Sequence, residues 1–207
     1  MDAGVYVWPR TVTAGRSAGA WPAIANANPR SAIRTMLTLL LFTWLLQTPD
    51  IHYVPTSNGV ADAMLTLANT TSSDVVYDLG SGDGRIPILA AKKFGARGVG
   101  VEIDGDLIKQ SLKNAQKAGV AGKVTFLQQN LFKTDLSDAT VVTLYLSNSI
   151  NMRLRGILER LKPGTRIVSH RFTFGDWKPE AERKLEGTSI YLWTVPASEK
   201  NRPASSR

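Results

Sequence analysis

Cysteine is absent from the 207-residue sequence, and histidine occurs only as His52 and His170. Without thiols there is no disulfide framework and no cysteine nucleophile, and two isolated histidines make no ligand set with the spacing of a protein metal site. A long hydrophobic run is missing as well. The most apolar stretch, Met36–Leu46, would reach about 16 Å as a helix, short of the roughly 30 Å of a bilayer core. Acidic residues are scarce relative to basic ones, 17 against 25, which leaves a net charge of +8. That excess is not gathered as a nucleic-acid footprint would be. Residues 1–35 hold four arginines against Asp2, while Lys92, Lys93, Lys109, Lys113 and Lys117 are spaced as on solvated helix faces. A dedicated nucleic-acid surface is therefore disfavoured, and an acidic protein or a membrane suits the charge better.

What the chain does contain is concentrated in two runs: Val75-Val76-Tyr77-Asp78-Leu79-Gly80-Ser81-Gly82-Asp83-Gly84-Arg85 and Gly98-Val99-Gly100-Val101-Glu102-Ile103-Asp104. The first is a β-rich stretch, three glycines at alternate positions, and the start of a helix with Pro87 in its first turn. Glycines permit the positive φ angles of such a turn and remove the Cβ atoms that would keep a ligand off the backbone. The second run is a strand ending at Glu102, 22 positions after Gly80. A carboxylate there can accept both hydroxyl protons of a ribose. A pyrophosphate fingerprint would need G-x-G-x-x-G, but Arg85 stands at the third glycine position. The spacing thus points to a nucleoside cofactor other than a dinucleotide.

Strand and helix signals alternate through the remainder. Val60, Ala63, Met64 and Leu67 share one helical face. Asp104 or Asp106 can cap a helix carrying Leu107, Ile108, Leu112 and Ala115, stopped by Gly119. Val124–Leu127 and Thr140–Leu146 read as strands. Leu154, Ile157, Leu158 and Leu161 form a helical stripe ended by Pro163-Gly164, and Thr165–His170 is a further strand. Such alternation implies right-handed crossovers and a parallel sheet with helices on both faces. Ala181–Leu185 and Ser189–Val195, joined at Glu186-Gly187, break it as a hairpin. Open sheets of this kind bind ligands at the carboxyl ends of their strands.

With Asp78 before it and Glu102 after it, Gly80-x-Gly82-x-Gly84 resembles motif I of the class I S-adenosylmethionine-dependent methyltransferases. A narrower resemblance adds Asp50-Ile51-His52-Tyr53-Val54-Pro55-Thr56, Leu144-Tyr145-Leu146, Ser169-His170 and Gly175-Asp176-Trp177-Lys178-Pro179. Together these are similar to the small archaeal and mitochondrial protein-lysine methyltransferases and their bacterial relatives, over about residues 50–196. The resemblance implies an α/β fold with a seven-stranded, Rossmann-like methyltransferase sheet, mostly parallel, whose last strand is antiparallel. It implies S-adenosylmethionine as cofactor, held by Tyr53, Thr56, Asp78, Gly80, Ser81, Gly82, Glu102, Ile103, Asn130 and Leu131. In relatives an acid after the third strand contacts the adenine amino group, and the Asn130 side-chain oxygen can stand in for it. Asn-Pro-Pro-aromatic motifs of adenine and glutamine methylating enzymes are absent after the fourth strand, where Tyr145-Leu146-Ser147-Asn148 stands. The implied activity is transfer of a methyl group to lysine amines of proteins; an acceptor that is a small molecule or RNA, or a non-catalytic nucleotide-binding module, are the alternatives.

Methyl transfer from a sulfonium is an in-line displacement, for which alignment at roughly 3–3.5 Å supplies most of the catalysis. A lysine amine must first lose its proton, and an apolar channel lowers its pKa from near 10.4. Tyr145, Ser147 and Asn148 are therefore expected to line the acceptor site as catalytic residues, by hydrogen bonding rather than covalently. His170, ending a core strand, is expected to be structural, and Trp177 and Trp193 to pack. No metal is expected. The chain divides into a targeting or disordered extension at 1–35, a short hydrophobic signal or anchor at 36–48, the catalytic domain at 50–196 and a polar tail at 197–207. Association with a membrane through 36–48 is the favoured localisation, with export or an organelle, including the mitochondrion, as alternatives.

Overall fold

The elements follow from the patterns just described, in a computed structural model that describes Val5–Tyr6 and residues 55–197. Tyr53, the segment 36–48 and residues 198–207 lie outside the described residues. Among those described, the order is β1 (Val5–Tyr6), α1 (Asn58–Leu67), β2 (Val75–Leu79), α2 (Arg85–Phe94), β3 (Arg97–Glu102), α3 (Gly105–Lys117), β4 (Val124–Gln128), β5 (Val141–Leu144), α4 (Asn148–Leu158), β6 (Arg166–His170), β7 (Ala181–Leu185) and β8 (Thr188–Thr194). A 3₁₀ turn at Leu131–Lys133 follows β4. Short polar side chains start three of the helices. Ser57 accepts from the Val60 amide, Asp104 from Asp106 and Leu107, and Ser147 from Ile150. Each satisfies donors that have no partner within the first turn.

The strands form one sheet in the order β1-β4-β3-β2-β5-β6-β8-β7. The five from β4 to β6 are mutually parallel, and β8 lies antiparallel between β6 and β7. This is the expected methyltransferase sheet, including its antiparallel insertion. The expectation did not include β1. Its two residues pair antiparallel with Leu127 and Phe126 of β4, supplying backbone partners to what would otherwise be the open edge. Strand β5 is shorter than the apolar run Thr140–Leu146, because the chain leaves the sheet at Tyr145 to reach the Ser147 cap of α4. For the same reason α4 starts at Asn148, a turn and a half before the stripe that marks it.

Alternation along the strands divides the core. Tyr77, Leu79, Val99, Val101, Val142, Leu144 and Ile167 pack on one face against Ile150, Leu154 and Leu158 of α4. Val76, Val141, Val168 and Ile190 pack on the other against α1 and α2. Helix α3 adds Ile108 and Ala115 against Val124 and Phe126. Trp193 is 1% exposed and its indole nitrogen donates to the Trp177 carbonyl at 2.9 Å, with Phe174 edge-on at 4.7 Å between ring centres. These aromatics lie within the core, in the packing role expected of them.

Because β2 to β6 run parallel, all five end at one rim of the sheet, and β2 lies between β3 and β5, where the direction of winding reverses. The residues that follow these strand ends make the site.

Candidate active site

The loop after β2 is shaped by the neighbouring strand. The amides of Gly80 and Ser81 both donate to the Val101 carbonyl, at 2.8 and 2.9 Å. Gly80, Gly82 and Gly84 all have positive φ, 78°, 53° and 79°. That backbone path is strained for a residue with a Cβ, which is why three glycines recur there. Gly100 on β3 is needed for a different reason: a Cβ would stand 2.6 Å from the Phe126 ring and 2.7 Å from Ser81 Oγ. Ser81 therefore turns its hydroxyl back toward the sheet, where it is buried without a partner.

Glu102 is fixed by the backbone around it. One oxygen accepts from the Ile103 and Asp104 amides at 2.7 and 3.0 Å, the other from Gly82 at 3.0 Å. A carboxylate offers about four lone-pair directions, so about one stays open toward solvent. Ile103 beside it is 39% exposed, one of two large apolar side chains so exposed among the described residues. Asn130 caps the 3₁₀ turn, its Oδ1 accepting from the Phe132 amide at 3.0 Å. The second lone pair of that oxygen remains for a ligand. Leu131 leans on the core, half-buried. An oriented carboxylate beside an exposed apolar side chain and a glycine-rich loop fits an adenosyl group: a ribose hydroxyl on the acid, a flat ring against Ile103, and backbone beside the remainder.

Asp78 lies beneath the loop. Its carboxyl is 3% exposed and accepts from Thr143 Oγ1 at 2.7 Å. Burial pushes its pKa up to about 7, with the charges of Glu102 and Asp83 adding to the effect and the Thr143 bond opposing it. Thr143 was not singled out from the sequence. The signal was present: one hydroxyl in the apolar run of β5, in register with Asp78 on β2.

On the other side of the switch the site is built from side chains. Tyr145 follows β5 and packs at a tilt of 35° against His170 at the end of β6, ring centres 4.0 Å apart, with the Phe172 ring stacked at 6.3 Å. The His170 Nδ1 lies 3.4 Å from Thr56 Oγ1, and its Nε2 lies 3.1 Å from Thr188 Oγ1. Burial lowers the imidazole pKa, and the Arg171 charge lowers it further. His170 is thus a neutral hub joining the lead into α1, the end of β6 and the start of β8. Thr56 is itself buried, and its carbonyl accepts from Arg85 at 2.6 Å. Arg85 also holds Asp83 through two bonds of 2.9 and 2.7 Å. The residue that spoils the dinucleotide fingerprint therefore ties the Thr56 segment to the glycine loop.

Of the expected acceptor residues, Tyr145 is half-buried and faces this hub. Ser147 is committed to capping α4, its Oγ accepting from Ile150 at 3.3 Å and lying 3.0 Å from Ser149 Oγ. Asn148 is exposed on the first turn of the helix. Thr56, Asp78, Gly80, Ser81, Gly82, Glu102, Ile103, Asn130, Leu131 and Tyr145 all lie at the same rim; Tyr53 lies outside the described residues. Among the described residues no cluster of carboxylates and histidine could hold a metal ion.

The chain is similar to known proteins. The model of the ANTKMT methyltransferase domain matches residues 78–181, half of the chain. A protein-lysine N-methyltransferase of Saccharolobus islandicus is 44% identical over 153 residues, 71% of this chain and 95% of that protein. The adenine nucleotide translocase lysine N-methyltransferase of Mus musculus is 33% identical over 76% of this chain and 70% of its own length. Among solved structures, an RNA methyltransferase from Salinibacter ruber in complex with S-adenosylhomocysteine is 57% identical, with a TM-score of 0.68 over 69% of this chain and 94% of that one. The glycine loop, the oriented Glu102 and these relatives agree: the chain is an S-adenosylmethionine-dependent methyltransferase and belongs to the ANTKMT methyltransferase-domain family.

Proposed function

We propose that this enzyme methylates the ε-amine of lysine in a protein. The observation that carries the acceptor is the close Tyr145–His170 ring contact, 4.0 Å between centres, at a histidine whose pKa burial holds below its usual value. S-adenosylmethionine, when bound, supplies a methyl group on a sulfonium. The chain has to bind it, aim it and admit an unprotonated amine. Glu102 would hold a ribose hydroxyl, Ile103, Leu131 and Asn130 would meet the adenine, and Gly80, Ser81 and Gly82 would offer backbone to the methionine part, with Asp78 beneath the loop. Thr56 closes the site from the lead segment, and Tyr53, outside the described residues, is assigned to the cofactor with it. Tyr145, Ser147 and Asn148 line the acceptor path. An aromatic wall with an uncharged imidazole behind it disfavours the ammonium form, lowering the amine pKa from near 10.4 by desolvation. The names of the Saccharolobus and mouse relatives support lysine as acceptor.

A second reading takes RNA as acceptor. It is favoured by the Salinibacter protein, which is called an RNA methyltransferase, and is compatible with the net charge of +8. Incubating the full chain with tritiated S-adenosylmethionine and cell lysate separates the two. Label that survives nuclease and is recovered as methyl-lysine after acid hydrolysis supports the first reading; label lost only to ribonuclease rejects it. The catalytic domain is assigned to residues 50–196. On composition, 36–48 is assigned as a targeting or anchoring segment, checked by whether its deletion releases the protein from sedimented membranes.

A further inference from the structure

A groove of about 530 Å³ opens between the end of β6 and the β7–β8 hairpin. Arg171 and Lys184 stand on its sides, Leu185 and Tyr191 contribute apolar surface, and Gly187 and Thr188 complete it. Thr188 is the residue whose hydroxyl meets His170, so the groove begins where the Tyr145–His170 pair ends.

The backbone at Arg171 shows that its side chain is placed at a cost. The Phe172 amide donates to the His170 carbonyl at 2.9 Å, closing a three-residue turn about Arg171, whose φ is 71°. Tight turns with positive φ at the centre are rare and strained for a residue with a Cβ, and glycine would relieve the strain. The surroundings enforce the turn. Ser169 Oγ donates to the Phe172 carbonyl at 2.6 Å, the buried Asn151 amide donates to both Ser169 Oγ and that carbonyl at 3.1 and 3.2 Å, and the Arg171 amide donates to Ser189 at 2.8 Å. An arginine held in this way is exposed, beside the Phe172 ring at 5.9 Å. Neither Arg171 nor the exposed Lys184 forms a salt bridge among the described residues, as is also true of Arg153, Arg160 and Arg183.

We propose that this groove docks an acidic side chain of the methyl-accepting polypeptide between Arg171 and Lys184 while the lysine reaches Tyr145. The inference rests on the lysine reading above and names the substrate feature that the reading leaves open. A polyanion fits less well. Binding along nucleic acid draws on repeated phosphate contacts, but the same hairpin carries Glu182, bonded to Ser189 at 2.8 Å, and Glu186, bonded to Ser57 at 2.5 Å. Two cations with carboxylates nearby and apolar surface between them match one carboxylate on a peptide.

The test titrates full-length protein, saturated with S-adenosylhomocysteine, into two fluorescein-labelled peptides that share one central lysine and differ in having glutamates or glutamines around it. The glutamate peptide is expected to bind roughly threefold to tenfold more tightly, the range given by one or two exposed ion pairs. R171Q/K184Q is expected to erase that preference while its affinity for S-adenosylhomocysteine stays unchanged. Equal affinity of the two peptides for the wild type, or a preference that persists in R171Q/K184Q, overturns the proposal. A short oligouridine that binds more tightly than the glutamate peptide, and loses that advantage in the double variant, also overturns it, as the groove would then be a phosphate site. Tritiated S-adenosylmethionine distinguishes this failure from failure of the lysine reading. Both peptides methylated with equal KM removes the groove and keeps lysine; charge-dependent binding with neither peptide methylated keeps the groove's preference and removes lysine.

Discussion

The two halves of the rim are constructed differently. Around β2 and β3 the site is made of backbone: three glycines, two amides on the Val101 carbonyl, and a carboxylate gripped by three more amides. Around β5 and β6 it is made of side chains drawn from distant parts of the chain, Thr56, Tyr145, His170 and Thr188. Backbone geometry is dictated by short local motifs, so one cofactor can be bound in the same way by relatives with different acceptors. A side-chain hub can be rebuilt by a few substitutions. The difference fits relatives whose names share methyl transfer and differ in what they methylate.

The largest expected effect tests the cost of the backbone half. Asp78 has its pKa raised from 3.8 to about 7 by burial, so between those pH values the folded protein holds a proton that the unfolded chain has released. Stability contributed by this group is therefore present below about pH 4 and is lost as pH rises through 7. The full span corresponds to on the order of 4 kcal/mol. Thermal melts of D78N, which keeps an acceptor for Thr143, should gain on the wild type as pH rises from 5 to 7.5. His170 acts in the opposite sense, since its lowered pKa makes the native state lose stability as pH falls below 6.5. Melting curves of wild type and D78N that stay parallel over this range would remove the buried-acid account.

Next in size is the ribose contact. E102A is expected to weaken S-adenosylhomocysteine binding by about 2–3 kcal/mol, the scale of hydrogen bonds to a charged group, or roughly 30- to 150-fold. Calorimetry reads this directly, and unchanged affinity in a folded E102A would refute the role. H170A should do the reverse: affinity for S-adenosylhomocysteine within about twofold of the wild type, but kcat/KM for the acceptor lower by about tenfold, the scale of one or two lost neutral hydrogen bonds. H170N, able to reach one threonine, should recover part of the loss. If H170A instead weakens cofactor binding as much as E102A does, the division into two halves fails.

The same division explains what could be read from the sequence. The antiparallel last strand comes from the family resemblance, whereas the glycine loop, Glu102, the alternation of strands and helices and the C-terminal hairpin follow from spacing within short windows, where turn chemistry and periodicity act locally. The hub does not. Thr56 and His170 meet across 114 residues, and His170 and Thr188 across 18, so no motif records the contact. Thr143 was hidden by its apolar neighbours until the register with Asp78 gave it a partner. Strand β1 was missed because two residues with no flanking pattern carry no signal, and only the vacant edge of β4 gives them a place.

The smallest effects separate two neighbours that the sequence treated alike. Ser147 and Asn148 were both expected at the acceptor, yet Ser147 caps α4 while Asn148 is exposed on its first turn. S147A should therefore cost about 1 kcal/mol of stability through the lost cap. N148A, on the surface, should stay within about 0.5 kcal/mol. Activity then has to be read against stability. A fall in kcat/KM for N148A, with its melting temperature unchanged, points to contact with the acceptor, whereas the same fall in S147A is ambiguous until an asparagine, which caps without a hydroxyl, is tried in its place. If N148A is fully active and S147N restores what S147A loses, neither the Asn148 side chain nor the Ser147 hydroxyl touches the substrate. The acceptor path would then be walled by Tyr145, His170 and Phe172, and the side-chain half of the rim would be narrower and more aromatic than the sequence implied.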